Sequence, residues 1–546
     1  MVIFMGRWNF PGRPTDTSAG FVRVACPDVE IFFTIFFPWA SIQYFVIGLQ
    51  EKPCQNWQVC QEIYHNACQP EINFTESEKM RRYSLRSLCL FVCLFLMKCI
   101  IAREESVGAQ SDGREKNMSM WNVLDSGAKG DGKADDTDAF QNALDSAGKN
   151  AVGGTVFVPA GNYLIARHLT IPKNVALEGI WKIPTAWTQH QGSTLLAVEG
   201  EGQPDAAPFI TIGENSVVKG LTIFYPNQTG AGEPKAYPWT IASSGADNSS
   251  IIDVLLVNPY QAVDFGTRPA GRHYIRNLYG QPLYKGIFVD QCYDIGRVEN
   301  VHFWPFWTAN KPDKKGAEEF IMSKGEPFIF GRTDWEYVFN TFSWGYSVGY
   351  HFIRTPSGVA NGNFLGIGAD ATNRAVVIDD CAPYGLLITN GEFVSMIGEE
   401  PTSVDVGASN TGVIQFQNCA FWGPTSRIAS IKGRGAVTFN ACNFDFWDKD
   451  KKQLPAIEAS GGNLLITSCN FAHTGHHITL NSGVASAVIT GNRFAGKTQI
   501  TNKSKGNVQI GLNVGNVKGK SPELAPQSGE HRRSALVQFL AKLIGR

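Results

Sequence analysis

The sequence predicts a parallel β-helix, and three observations lead there. First, an apolar residue followed by others three and five positions later returns along the chain. It reads Val218/Leu221/Ile223, Ile252/Leu255/Val257, Val298/Val301/Phe303 and Ile388/Gly391/Phe393. It continues as Phe416/Cys419/Phe421, Phe439/Cys442/Phe444, Ile466/Cys469/Phe471 and Ile489/Asn492/Phe494, the last five starting 23 to 28 residues apart. That period belongs to a solenoid with one short set of strands per coil. Second, the residues next to the triplet starts, among them Lys219, Glu299, Thr389, Gln417, Asn440, Thr467 and Thr490, are polar, the alternation of a wall with one buried face. Third, 56 glycines and 12 % aromatic residues suit many short strands joined by tight turns. The leucine/asparagine consensus of a leucine-rich repeat is absent. "FQNCAFW", "FNACNFDF" and "ITSCNFAH" therefore put Cys419, Cys442 and Cys469 into one interior stack.

The bulk numbers exclude two function classes. The 546 residues are 43 % hydrophobic with a formal net charge of −1, so the chain is neither broadly disordered nor provided with the basic excess of a nucleic-acid binder. Seven of the twelve cysteines lie before residue 100. The five in the body show no CxxC spacing and no paired histidines, so they read as buried fillers and no metal site is expected.

From the amino terminus, residues 1–79 read as a non-native extension or a membrane segment, with Ile31–Leu49 the candidate span. "MRRYSLRSLCLFVCLFLMKCIIA" from Met80 has the basic start, apolar run and small residues of a secretory signal peptide, covering residues 80–109. The body is thus expected to be secreted or periplasmic, and without membrane contact once mature. The β-helix is expected over residues 118–516. Its open end is closed by a helix with N-cap candidates Asp135 and Asp136 and with Phe140 and Leu144 on one face. The glycines at 127, 130 and 132 lack the Lys-Ser/Thr of a phosphate loop. Residues 517–546 read as a linker and a short amphipathic helix from about Ser534.

"WNVLDSGAKGDGKADDTDAFQNAL" with "GGTVFVPAGNYLI" resembles the opening signature of the pectate-lyase/polygalacturonase-like superfamily. The likeness covers about residues 120–515. It implies an all-β, single-stranded, right-handed parallel β-helix with an N-terminal capping helix, in a superfamily holding polysaccharide hydrolases, lyases, epimerases and phage tailspikes. Of the polygalacturonase motifs only an Asp-Asp pair is present, Asp379-Asp380. Adjacent strand residues face opposite ways, so only one of the two reaches a cleft.

Candidate chemistry follows from rung spacing. Rungs stack roughly 4.8 Å apart, and paired carboxylates of glycosidases stand about 5–9.5 Å apart, so partners come from one rung or near neighbours. Asp290 with Asp334 or Glu336 is the expected acid/base couple. Asp380, three or four coils on, is a further catalytic candidate, as are His302 and Arg332. The insertion from Trp304 to Lys324 and the aromatics Trp304, Trp307, Trp335 and Trp344 suggest a sugar-stacking surface. The expected function is a secreted glycoside hydrolase acting on a polysaccharide without a cofactor. The alternatives are a lyase or epimerase on a uronate polymer, which could draw on Arg332, Arg297, Lys285 and His302 and on Ca²⁺ at Asp379, Asp380 and Asp405, and a non-catalytic carbohydrate binder.

Overall fold

The computed structural model describes residues 119–180 and 191–515, together with four strands of a separate amino-terminal unit. Those four, Val2–Trp8, Ala19–Cys26, Val29–Phe36 and Tyr44–Val46, pair antiparallel in chain order. The last two occupy part of the stretch read as a candidate span. The signal layout from Met80 and the carboxyl-terminal helix lie outside the described residues. Among the described residues, no helix is long and apolar enough to cross a membrane.

The body is a parallel β-helix. One wall is a thirteen-stranded parallel sheet running from Leu169–Ile171 to Ile500–Asn502. The opposite side is a longer sheet in which most coils contribute two short strands separated by a bend. The apolar triplets stack in register: Phe364, Ile388, Phe416, Phe439, Ile466 and Ile489 form one column, and Phe393, Phe421, Phe444, Phe471 and Phe494 another. Rings in the second column follow at 5.2, 5.4, 4.7 and 4.7 Å between centroids. Cys419, Cys442 and Cys469 are buried between the columns, as the spacing predicts. The Cys442 and Cys469 thiols donate to the carbonyls of Phe416 and Phe439 on the preceding rungs, each at 3.4 Å. Asn492 takes over in the next rung, donating to the Ile466 carbonyl at 2.9 Å.

One coil departs from the sequence reading. Ile251, not Ile252, pairs with Val218 and is buried, and the inward set there is Ile251/Val254/Leu256. The left-handed bend fixes the frame: Asp253, at φ 56°, lies two residues after Ile251. The same left-handed bend is filled by Asn277, Asn300, Asn340, Asn390 and Asn418 in later coils, asparagine being tolerant of that conformation. Their side-chain amides chain upwards, Asn277 to Asp253 at 2.6 Å, Asn300 to Asn277 at 2.7 Å and Asn340 to Asn300 at 3.2 Å.

The cap helix, α1, spans Thr137–Gly148 and buries Phe140 and Leu144 over the first coils. Its two acidic residues divide the work. Asp135 accepts the Thr137 amide at 3.0 Å, whereas Asp136 turns back to the amides of Lys129 and Gly130 at 2.6 and 3.1 Å and so fixes the glycine-rich turn. The insertion folds as α2, Lys315–Lys324, with Phe320 against the rings of Tyr260 and Tyr284.

Candidate active site

The outer face of the thirteen-stranded sheet carries a cluster of charged side chains. Glu326–Phe330, Val348–Phe352, Arg374–Ile378 and Thr402–Val406 are consecutive rungs of that wall. Alternation sends Tyr350 and Phe352 into the core, which leaves His351 on the outside. Its Nδ1 lies 3.2 Å from Glu326 Oε2, on the rung before, and its Nε2 3.1 Å from Asp379 Oδ2, just past the end of the rung after. Burial opposes charge on the imidazole, but the hydrogen bonds to Asp379 and Glu326 outweigh it and lift the pKa to about 9. At neutral pH the ring therefore carries both protons and donates one to each acid. Held at opposite ring nitrogens, the two carboxylates are kept apart by the width of the ring.

Charges of both signs continue along the wall. Asp405, one rung on, is 3.5 Å from Arg374 and 3.2 Å from Lys432. Arg427 meets Glu458 and Glu400, each at 3.3 Å. Asp379, Asp380 and Asp405, the oxygen donors considered for Ca²⁺, thus turn to different cationic partners.

The sequence-predicted couple does not assemble. Asp290 does neighbour Arg332 one rung away, but as a buried acceptor of the Arg332 amide at 2.5 Å and the Thr355 hydroxyl at 3.0 Å. Asp334 is exposed on a turn. Glu336 is fully buried, paired with His273 at 2.9 Å. The strand that begins at Glu336 presents its alternate residues inwards, so this carboxylate cannot face a cleft. Arg332 lies over the exposed ring of Tyr293, 5.6 Å from its centroid. Asp380 is also interior, 1 % exposed; it takes the Cys381 and Thr411 amides at 2.9 and 3.0 Å and a hydrogen bond from Arg354 Nε at 3.0 Å. Asp379 is the member of that pair that reaches the outer surface.

The aromatics separate likewise. Trp307 is 1 % exposed and belongs to the main core. Trp335, half-buried at φ 61°, sits on the turn before Glu336. Trp304 and Trp344 pack at 6.1 Å with Met322, Phe342 and Met396 on the outside of the other wall, and His302 joins them edge-on to Phe306 and Phe342 at 5.4 and 5.2 Å. Burial lowers the His302 pKa, so the ring is neutral at pH 7. Two carboxyls border this patch. Asp370 is pushed up to about 6 by burial, with a smaller contribution from Glu392, and Glu392 accepts the Trp422 indole at 3.0 Å. A bulge follows Ala369, and Ala371 within it has φ 52°.

Sequence reasoning missed Glu326 and His351. The signal was present: once the wall strands "EPFIF", "VGYHF" and "RAVVI" are aligned, a charged residue opens the first, a histidine replaces an apolar residue on the outward face of the second, and an acid follows the third. The triplets that betrayed the fold come from the other wall.

Residues 120–259 match the family model described as "Rhamnogalacturonase A/epimerase, pectate lyase-like", so the likeness to pectate-lyase-like β-helices suggested by the opening motif holds. Over 98 residues the chain is 39 % identical to alginate lyase 7 of Azotobacter vinelandii, 16 % of this chain and 11 % of that one. It is 39 % identical over 94 residues to mannuronan C5-epimerase AlgE1 of the same organism, 15 % of this chain and 7 % of that one. The match therefore spans only about a tenth of the length of these relatives. A solved DFA-IIIase from Arthrobacter chlorophenolicus A6, without its lid, aligns over 72 % of this chain and 100 % of its own at 10 % identity and a TM-score of 0.45.

Proposed function

We propose that the chain acts on a polysaccharide laid across the outer face of the thirteen-stranded sheet, outside the cytoplasm, and that it hydrolyses it. The observation that carries this reading is the row Glu326–His351–Asp379, with its hydrogen bonds of 3.2 and 3.1 Å. Hydrolysis by inversion needs one carboxyl group to protonate the leaving oxygen and a second to activate water. Glu326 and Asp379 are two carboxyl groups offered on this face, and the imidazole between them orients both. Asp379, with its side chain 49 % exposed, is the more accessible to solvent.

A second reading is supported by the sign of the same histidine. A lyase or epimerase on a uronate polymer must neutralise the sugar carboxylate, and His351 and Arg374 on the neighbouring rung are cations that would have to exchange their acidic partners for it. The names of the matched relatives, an alginate lyase and a mannuronan epimerase, point the same way.

Incubation of the protein with neutral and uronate polysaccharides separates the readings. Hydrolysis releases reducing ends alone, a lyase also releases unsaturated ends that absorb in the ultraviolet, and an epimerase changes sugar configuration without cleavage. Binding without any product, or an Asp379→Asn protein as active as the wild type, overturns the assignment of this face as catalytic.

A further inference from the structure

Beneath the corner that follows the thirteen-stranded sheet, three side chains converge with no part in the reading above. His273, Cys292 and Glu336 are each fully buried, and one donor atom from each lies within 4.8 Å of the others. Strand register explains the meeting. Tyr274, Arg297 and Tyr337 stack on successive rungs, so His273, Gly296 and Glu336 occupy one column immediately before them. His273 and Glu336 are two rungs apart and touch only because Gly296 stands between them without a side chain. A Cβ there would sit 2.2 Å from His273 Cε1 and 2.5 Å from Glu336 Oε2. Cys292, in the turn after Lys285–Val289, supplies the sulfur.

Two features of this group ask for a cation. His273 Nδ1 lies 2.8 Å from the Ala270 carbonyl; donation there orients the ring and turns Nε2 to Glu336 Oε1, 2.9 Å away. That approach needs a positive charge, either a proton on Nε2 or a metal ion in its place. Glu336 Oε2 is buried and has no hydrogen-bond partner, an orphan with a substantial desolvation cost. We propose that His273 Nε2, Cys292 Sγ and the Glu336 carboxylate bind a divalent transition-metal ion, Zn²⁺ by preference. The mixed nitrogen, sulfur and oxygen set suits zinc, and ligand bonds of about 2.0–2.3 Å require small shifts, the sulfur moving in and His273 and Glu336 parting slightly to admit the ion. The histidine–carbonyl contact is the outer-shell partner that such ligands ordinarily have. Binding displaces the thiol proton to solvent, together with any proton held between His273 and Glu336. The ion would clip three successive coils at one corner.

Because the group is sealed, the full chain is to be refolded from denaturant with zinc, dialysed, and its metal measured by plasma mass spectrometry. About one zinc per chain is expected, falling at least tenfold in Cys292→Ser and His273→Gln and unchanged in Cys381→Ser, which alters a buried thiol elsewhere. Refolding the wild type with Co²⁺ is expected to give a thiolate-to-cobalt charge-transfer band, a readout that needs no variant to fold. Zinc no higher in the wild type than in Cys292→Ser, or absence of that band, overturns the proposal and leaves a proton-bridged histidine–glutamate pair only.

Discussion

Asp379 and Asp380 are consecutive in the chain and face opposite ways: Asp379 takes a hydrogen bond from His351 on the outer surface, while Asp380 is sealed beneath it against Arg354 and two backbone amides. The two carboxylates therefore do different work. Asp379→Asn is expected to lower turnover at least about 100-fold and to cost only the stability that its hydrogen bond to His351 supplies. Asp380→Ala strips a buried carboxylate from the Arg354 guanidinium and two amide donors and is expected to cost about 2–3 kcal/mol. Kinetics and thermal melts of both proteins check this; equal loss of stability in the two would contradict the opposed orientation.

His351 makes stability depend on pH in the alkaline range. Its pKa rises from an ordinary 6.5 to about 9, so between those values the folded protein binds more protons than the unfolded chain. The stabilisation is fully present below about pH 6.5 and is lost as pH climbs through about 9. Tm is expected to fall over that interval in the wild type and much less in His351→Gln. An imidazole titration by NMR with a midpoint near 6.5 would remove the basis of this behaviour.

Asp370 acts in the opposite sense. Its carboxyl is ordinarily ionised above 3.8 but here holds its proton to about 6. The unfolded chain releases that proton first, so stability declines as pH rises from about 3.8 to 6 and stays lower above. Asp370→Asn removes the penalty. Its Tm relative to wild type is expected to rise at pH 8 and to show no gain at pH 4; a gain of equal size at both values would point to packing instead of charge.

Gly296 is the narrowest point of the interior corner. With Gly296→Ala the added methyl meets both His273 and Glu336 below 3 Å, and the buried pair must part. A loss of about 3 kcal/mol or more is expected, measured by denaturant unfolding. Alanine tolerated without loss would mean that the column has room the geometry does not indicate.

The framework was legible because its signal is local and repeated. Every coil restates the same requirement at Phe416, Phe439, Ile466 and their counterparts, so errors such as Ile252 for Ile251 stay confined to one rung. The site was legible only in fragments. Alternation marks Asp379-Asp380 as a pair with one member facing outward, but the sequence does not tell that the outward one is Asp379 and not Asp380. Trp304 and Trp307 lie three residues apart in one insertion, yet one packs partly buried on a small cluster outside the wall and the other joins the main core. Composition cannot separate them, because a tryptophan fills a core as readily as it stacks on a ligand.

The sequence by itself determined that this chain coils, that most of its apolar triplets stack inside, and that a helix closes the first turn. Periodic burial of apolar groups is written into the order of residues, and any chain with that order must hide the same face. Only the tertiary structure decided which charges meet. Glu326, His351 and Asp379 are 25 and 28 residues apart, and His273 and Glu336 are 63 apart. Their encounters depend on the length of each turn and the side a bend leaves outward, quantities that a single residue's shift reverses.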